Sequence, residues 1–168
     1  MRRISLLLCL GFFALAGSAA AQTKLSGTLE CSKSNPRYRV PVGERAGHSL
    51  VLEQQKCVWT TPIAIENIKA KDAEATLFSD QDGDRSRDTG YQLTNMSTGE
   101  QVVFRMTGTG SIGPDGSLST ENGTWTLFRA TGKLEGIKGH GTYKGVPNAQ
   151  GGVTLQVQGE YETPSTKP

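Results

Sequence analysis

Histidine and cysteine are scarce in this chain, and the scarcity removes several kinds of chemistry at once. Among 168 residues, two are histidine and three are cysteine. His48 and His140 have no cysteine or second histidine at the short spacing of a tetrahedral metal site, so no metal is expected. No serine sits in a Gly-x-Ser-x-Gly elbow, the common hydrolase signature. Gly108-Thr109-Gly110 continues as Ser111-Ile112-Gly113 and lacks the lysine of a phosphate-binding loop. No catalytic residue and no cofactor are therefore assigned. An excess of one charge is missing too. Apart from Arg2 and Arg3, 16 basic side chains balance 16 acidic ones. That balance gives no bulk attraction to nucleic acid or to an anionic membrane. After Ala21, no apolar run approaches the roughly 20 residues that span a bilayer.

A shorter apolar run does open the chain. Met1-Arg2-Arg3 precedes Ile4–Ala16, rich in Leu and Phe, and then Gly17 to Ala21, all small. This is the layout of a secretory signal, and Ala19-Ala20-Ala21 places cleavage after Ala21. The alternative, a membrane anchor, would need a longer apolar stretch. Ser18 follows Leu15-Ala16-Gly17 where a lipoprotein signal needs cysteine. The expectation is a periplasmic or secreted protein, with residues 22–162 as a single domain and 163–168 as a frayed tail. Cys9 leaves with the signal. Cys31 and Cys57 remain as an even pair in an oxidising compartment, where a disulfide is expected rather than two separate buried thiols.

Most of the remaining chain alternates with a period of two. Leu25, Gly27, Leu29 and Cys31 fall on one face of Lys24–Cys31. Val102, Phe104 and Met106 share a face, as do Val153, Leu155 and Val157. Further strands are predicted over His48–Trp59, Arg87–Met96, Thr124–Ala130, Lys133–Ile137 and Gly141–Val146. The stretch Ile63–Ser79 stays ambiguous, because Ala70, Ala73 and Leu77 would also suit a short helix. Turn signals fall at Ser97-Thr98-Gly99, Pro114-Asp115-Gly116, Glu121-Asn122-Gly123 and Pro147-Asn148-Ala149. Short strands with regular turns predict an all-β fold, a small antiparallel barrel of about eight strands, with a two-sheet sandwich as the alternative. Fourteen glycines crowd into Gly99–Gly159 against five in Gln22–Thr98, which suits the sharp coiling of a closed barrel.

Within that glycine-rich half, the run Thr124-Trp125-Thr126-Leu127-Phe128-Arg129-Ala130-Thr131-Gly132-Lys133-Leu134-Glu135-Gly136-Ile137-Lys138-Gly139-His140-Gly141-Thr142-Tyr143 resembles the central hairpin of allene oxide cyclase and dirigent-type barrels and their bacterial relatives. The resemblance covers about residues 123–161. It implies an eight-stranded antiparallel barrel with an apolar lumen, often secreted. No catalytic residue of those plant enzymes falls on a matching position here, so none is carried over.

Three function classes stay open. The leading one is a non-catalytic binder of a small apolar ligand held in the lumen. The others are a cyclase or isomerase acting on a lipid-like substrate, and a structural or partner-binding envelope protein. Trp125 and Leu127 are expected to face inward, with Thr124, Thr126 and Phe128 outward. Phe104, Trp125, Leu127 and Tyr143 are the candidate ligand-lining residues, and packing of the same aromatics is the competing reading. His140, between two glycines, reads as a general base or as an exposed strand histidine. The acidic stretch Asp80–Asp88 is out of register for a calcium loop and reads as a solvated hairpin outside the core.

Overall fold

The computed structural model describes residues 22–114 and 118–164. The expected signal peptide with Cys9, the tip of the Pro114-Asp115-Gly116 turn, and residues 165–168 of the tail lie outside the described residues. Ten strands follow in order: β1 (Thr23–Cys31), β2 (Arg37–Pro41), β3 (His48–Thr61), β4 (Ala64–Ile65), β5 (Ile68–Asp82), β6 (Arg85–Met96), β7 (Gln101–Ile112), β8 (Leu118–Ala130), β9 (Lys138–Pro147) and β10 (Val153–Glu162). Neighbours run β3-β1-β10-β9-β8-β7-β6-β5, and β5 pairs back onto β3. This is a closed, eight-stranded antiparallel barrel with β2 and β4 as extra strands. Closure excludes the two-sheet sandwich and removes most free edges.

Strand β3 organises one end of the barrel. Along one edge it pairs with β5 from His48 to Val58. Its other edge is shared, with β2 opposite Ser49–Glu53 and β1 opposite Cys57–Thr61. Cys31 and Cys57 face each other where β3 exchanges one partner for the next, and they form a disulfide with Cα atoms 4.0 Å apart. Ser32 N–H donates to the Lys56 carbonyl at 2.8 Å, so the adjacent pair carries the ladder bonds. The cysteines thus occupy the closer, non-hydrogen-bonded kind of position.

Two sequence expectations are corrected. No helix forms in Ile63–Ser79, because β5 runs from Ile68 onward with Ala73, Ala75, Ser79 and Gln81 buried at period two. A bulge between Ala70 and Asp72 sets Ala70 and Ala73 on the same inward side three residues apart, which is what made the segment look helical. Lys133–Ile137 is not a strand. It is a connection containing a short 3-10 turn, Gly132–Leu134, and β8 pairs directly with β9. Gly132 and Gly136 both take positive φ, at 61° and 80°, which ends extended backbone on either side of Leu134. Leu134 and Ile137 are buried and, with Ile63 and Ile65, belong to the core cluster.

The abundance of glycine in β7 to β10 has a steric cause. A Cβ placed on Gly141 would lie 2.5 Å from the Trp125 ring, and one on Gly159 would lie 2.4 Å from it. A Cβ on Gly123 would lie 2.4 Å from the Tyr143 ring. The inward rings of Trp125 and Tyr143 therefore lie against bare stretches of wall.

Candidate functional site

The lumen is divided along its length, and the division can be followed within single strands. On β8 the inward positions run Glu121, Gly123, Trp125 and then Leu127, with Glu121 and Trp125 buried. On β3 they run Glu53 and Gln55 and then Cys57 and Trp59. On β5 they run Gln81 and Ser79 and then Ala75 and Ala73. Because every strand alternates in and out, a change of residue type along the inward set becomes a change of environment along the barrel axis.

The apolar half is filled. Trp125 and Phe104 meet edge to face with centroids 5.3 Å apart, a favourable arrangement of ring quadrupoles. Leu25, Trp59, Ile63, Met106, Tyr143 and Val157 pack around them, and the space left is about 10 Å³. That is about the room of one water molecule. Phe104, Trp125 and Tyr143 are brought together as the sequence led us to expect, and Leu127 packs at the edge of the same core. Thr124, Thr126 and Phe128 face outward. Little open space thus adjoins Phe104, Trp125 and Tyr143 in this half.

The other half encloses a cavity of about 290 Å³. Its lining carries Glu53 and Gln55 from β3, Ser79 and Gln81 from β5, Ser86 and Asp88 from β6, and Glu121 from β8, with Leu77, Ile112, Leu118 and Val153 as its apolar part. Lys33 and Arg37 border it from the segment linking β1 to β2 and from the start of β2. Arg37 pairs with Glu53 at 3.0 Å. Ser86 donates its hydroxyl hydrogen to Asp88 at 2.8 Å. Gln81 is 5% exposed, and its side-chain oxygen has no hydrogen-bond partner among the described residues. A buried acceptor left unpaired costs its desolvation, about 1–3 kcal/mol, unless a ligand or water supplies a donor.

Glu121, 7% exposed, sits deepest in chemical terms. Burial pushes its carboxyl up to about 7, and the negative charge of Asp88 pushes the same way. The Tyr143 hydroxyl, bonded to it, acts in the opposite sense. Tyr143 is itself raised, first by burial and then by the neighbouring Glu121 charge. Tyr143 thus joins the halves, with its ring in the apolar core and its hydroxyl on the carboxyl of the polar half. Among the described residues no ion pair engages Asp88 or Glu121, and no three His, Cys, Asp or Glu groups are placed to hold a metal ion.

Two sequence readings had hidden these residues. Glu121-Asn122-Gly123 was expected to be a turn but lies within β8, where Asn122 pairs with Lys144. Asp80–Asp88 forms the hairpin expected, yet Gln81 and Ser86 are buried and Asp88 is half-buried. The available signal was period-two phase: Glu121 is in step with Trp125, and Gln81 with Ala75. His140 is exposed and pairs with Glu160 at 3.4 Å, away from the cavity. His48 bridges Glu44 and Asp80 on the loop-bearing side of β3, at 2.8 Å from Asp80.

No family model matches the chain, and no curated protein matches it. Among solved structures, a conserved protein of unknown function, RPA1785 from Rhodopseudomonas palustris, aligns over 84% of this chain and 99% of its own. The sequence identity is 10% and the TM-score 0.46.

Proposed function

We propose that this protein is an exported, non-catalytic binding barrel whose ligand is a small polar molecule held in the open half of the lumen. The observation carrying the proposal is the division of the interior: one half packed to about 10 Å³ of residual space, the other holding about 290 Å³ lined in part by Gln81, Asp88 and Glu121. An apolar ligand of fatty-acid size does not fit the packed half, so the binding site moves away from Phe104, Trp125 and Leu127. Export is supported by the Cys31–Cys57 disulfide, which suits an oxidising compartment. The signal peptide over residues 1–21 is part of the proposal, and N-terminal sequencing of the exported protein should find Gln22 first. Kinship with the allene oxide cyclase and dirigent-type barrels is a proposal of the same standing, supported by eight-stranded closure and by the hairpin-like run lying on adjacent strands.

The test is a nuclear magnetic resonance titration with small polyols, amines and fatty acids, read at backbone amides. Polar compounds should shift residues around Ser79, Ser86 and Glu121, and Ser86→Trp, which fills the cavity, should abolish the shifts. Fatty acids that instead perturb Trp125 and Phe104, with Glu121 unaffected, would overturn the proposal.

A further inference from the structure

We infer that the cavity selects a small organic cation, a primary ammonium on a hydroxylated skeleton, with its charge held among Asp88, Glu121 and the side-chain oxygen of Gln81. The inference rests on the proposed binding role of the same cavity and adds the ligand's chemistry.

Three observations lead there. Asp88 and Glu121 are two carboxyl groups near enough to repel, and no cation engages either among the described residues. Gln81 adds a buried acceptor with nothing to accept. An ammonium group has three donors and no acceptor, which matches three acceptors of this kind. The geometry also speaks against a bare metal ion, since no group of three ligating side chains is placed to hold one among the described residues. Ser79 and Ser86, in the same lining, offer hydroxyl partners for a hydroxylated skeleton. Of the basic residues of the lining, Arg37 is engaged by Glu53, and Lys33 forms no ion pair with Asp88 or Glu121 among the described residues.

Binding should therefore move a proton. The charged or titratable groups bordering Glu121 are Asp88 on β6, Tyr143 on β9, Glu53 on β3, Lys33 before β2 and Arg37 on β2. The linings from β5, β7 and β10 carry no charge. An arriving ammonium relieves the repulsion between Asp88 and Glu121 and draws Glu121 into its ionised form, releasing its proton.

The experiment compares D-glucosamine with D-glucose, and n-butylamine with n-butanol, by calorimetry on the full exported protein. Each pair matches in shape and differs in the ammonium group. The amine of each pair should bind about tenfold tighter or more, as expected for charge-assisted hydrogen bonds. Near pH 6, heats measured in two buffers of different ionisation enthalpy should reveal proton release with the amine only. Asp88→Asn, which keeps the shape, should erase the preference of the cavity for glucosamine over glucose. Glucose and glucosamine binding equally would overturn the cation inference and leave the cavity reading standing. Binding of neither pair would overturn both. Preferential binding of an anion such as citrate would overturn the inference and assign the site to Lys33 and Arg37.

Discussion

The two halves of the lumen share one wall, one pleat and one set of strands, yet they are opposite in character. Around Trp125 the interior is closely packed, and the buried indole N–H groups of Trp59 and Trp125 find no hydrogen-bond partner among the described residues. Around Glu121, two inward positions away on the same strand, it is polar, and among the described residues no ion pair engages the carboxyls of Asp88 and Glu121. The comparison teaches that packed core and cavity lining are distributed lengthwise in this barrel. Strands β3, β5, β6, β7 and β8 each contribute to both in sequence, so no single strand makes the cavity.

Breaking the packed half should have the largest effect. Trp125→Ala removes the ring at the centre of a nearly void-free core and should cost about 3–5 kcal/mol, measured by denaturant unfolding. Glu121→Gln, on the same strand, should change stability by less than about 1 kcal/mol at pH 5, where the native carboxyl is already protonated. Equal costs for the two would dissolve the distinction between the halves.

Next in size is the disulfide, which lies at the border between them. Replacing Cys31 and Cys57 with serine opens a loop closed over a separation of 26 residues. The expected loss is about 3–4 kcal/mol on the chain-entropy account. Hydrogen exchange should show protection falling first in β2 and residues 32–36, while β6 to β8 keep theirs. Uniform loss of protection would mean that the two ends of the barrel do not differ in local stability.

The smallest expected effect is the most diagnostic of the polar half. Glu121 has a native pKa of about 7 against an ordinary value of 4.5. The native protein therefore holds a proton that the unfolded chain releases across that window. Stability should decline as pH rises from about 4.5 to 7, by about 3 kcal/mol at most. His48, raised by its bonds to Glu44 and Asp80, pulls the same way at higher pH, while lowered Glu44 and Asp82 pull the opposite way at lower pH. The difference between wild type and Glu121→Gln isolates the one carboxyl. Parallel pH profiles for the two proteins would mean that Glu121 is hydrated in the native state.

The barrel was readable from period-two alternation and turn spacing, because those patterns report local backbone and burial directly. Trp125 inward and Phe128 outward follow from the same logic. The site was not readable, for two physical reasons. Asn122-Gly123 has the composition of a hairpin turn, yet here the glycine is demanded by the Tyr143 ring above it. Acidic residues are usually solvated, so Asp88 was assigned to the surface along with its truly exposed neighbours. Local preference misleads where a tertiary contact or the inward phase of a strand supplies the reason for a residue.

The bare wall beneath the rings has a consequence for how this chain can change over time. Gly141 on β9 and Gly159 on β10 lie under Trp125 of β8, and Gly123 lies under Tyr143. A Cβ at 141, 159 or 123 would also meet a backbone carbonyl of the neighbouring strand, that of Gln158, His140 or Thr107, at 2.1, 2.3 and 2.4 Å. A smaller residue at 125 or 143 therefore makes no room for a side chain at these positions. Among descendants of this sequence, glycine should persist at 123, 141 and 159 even where 125 or 143 has changed.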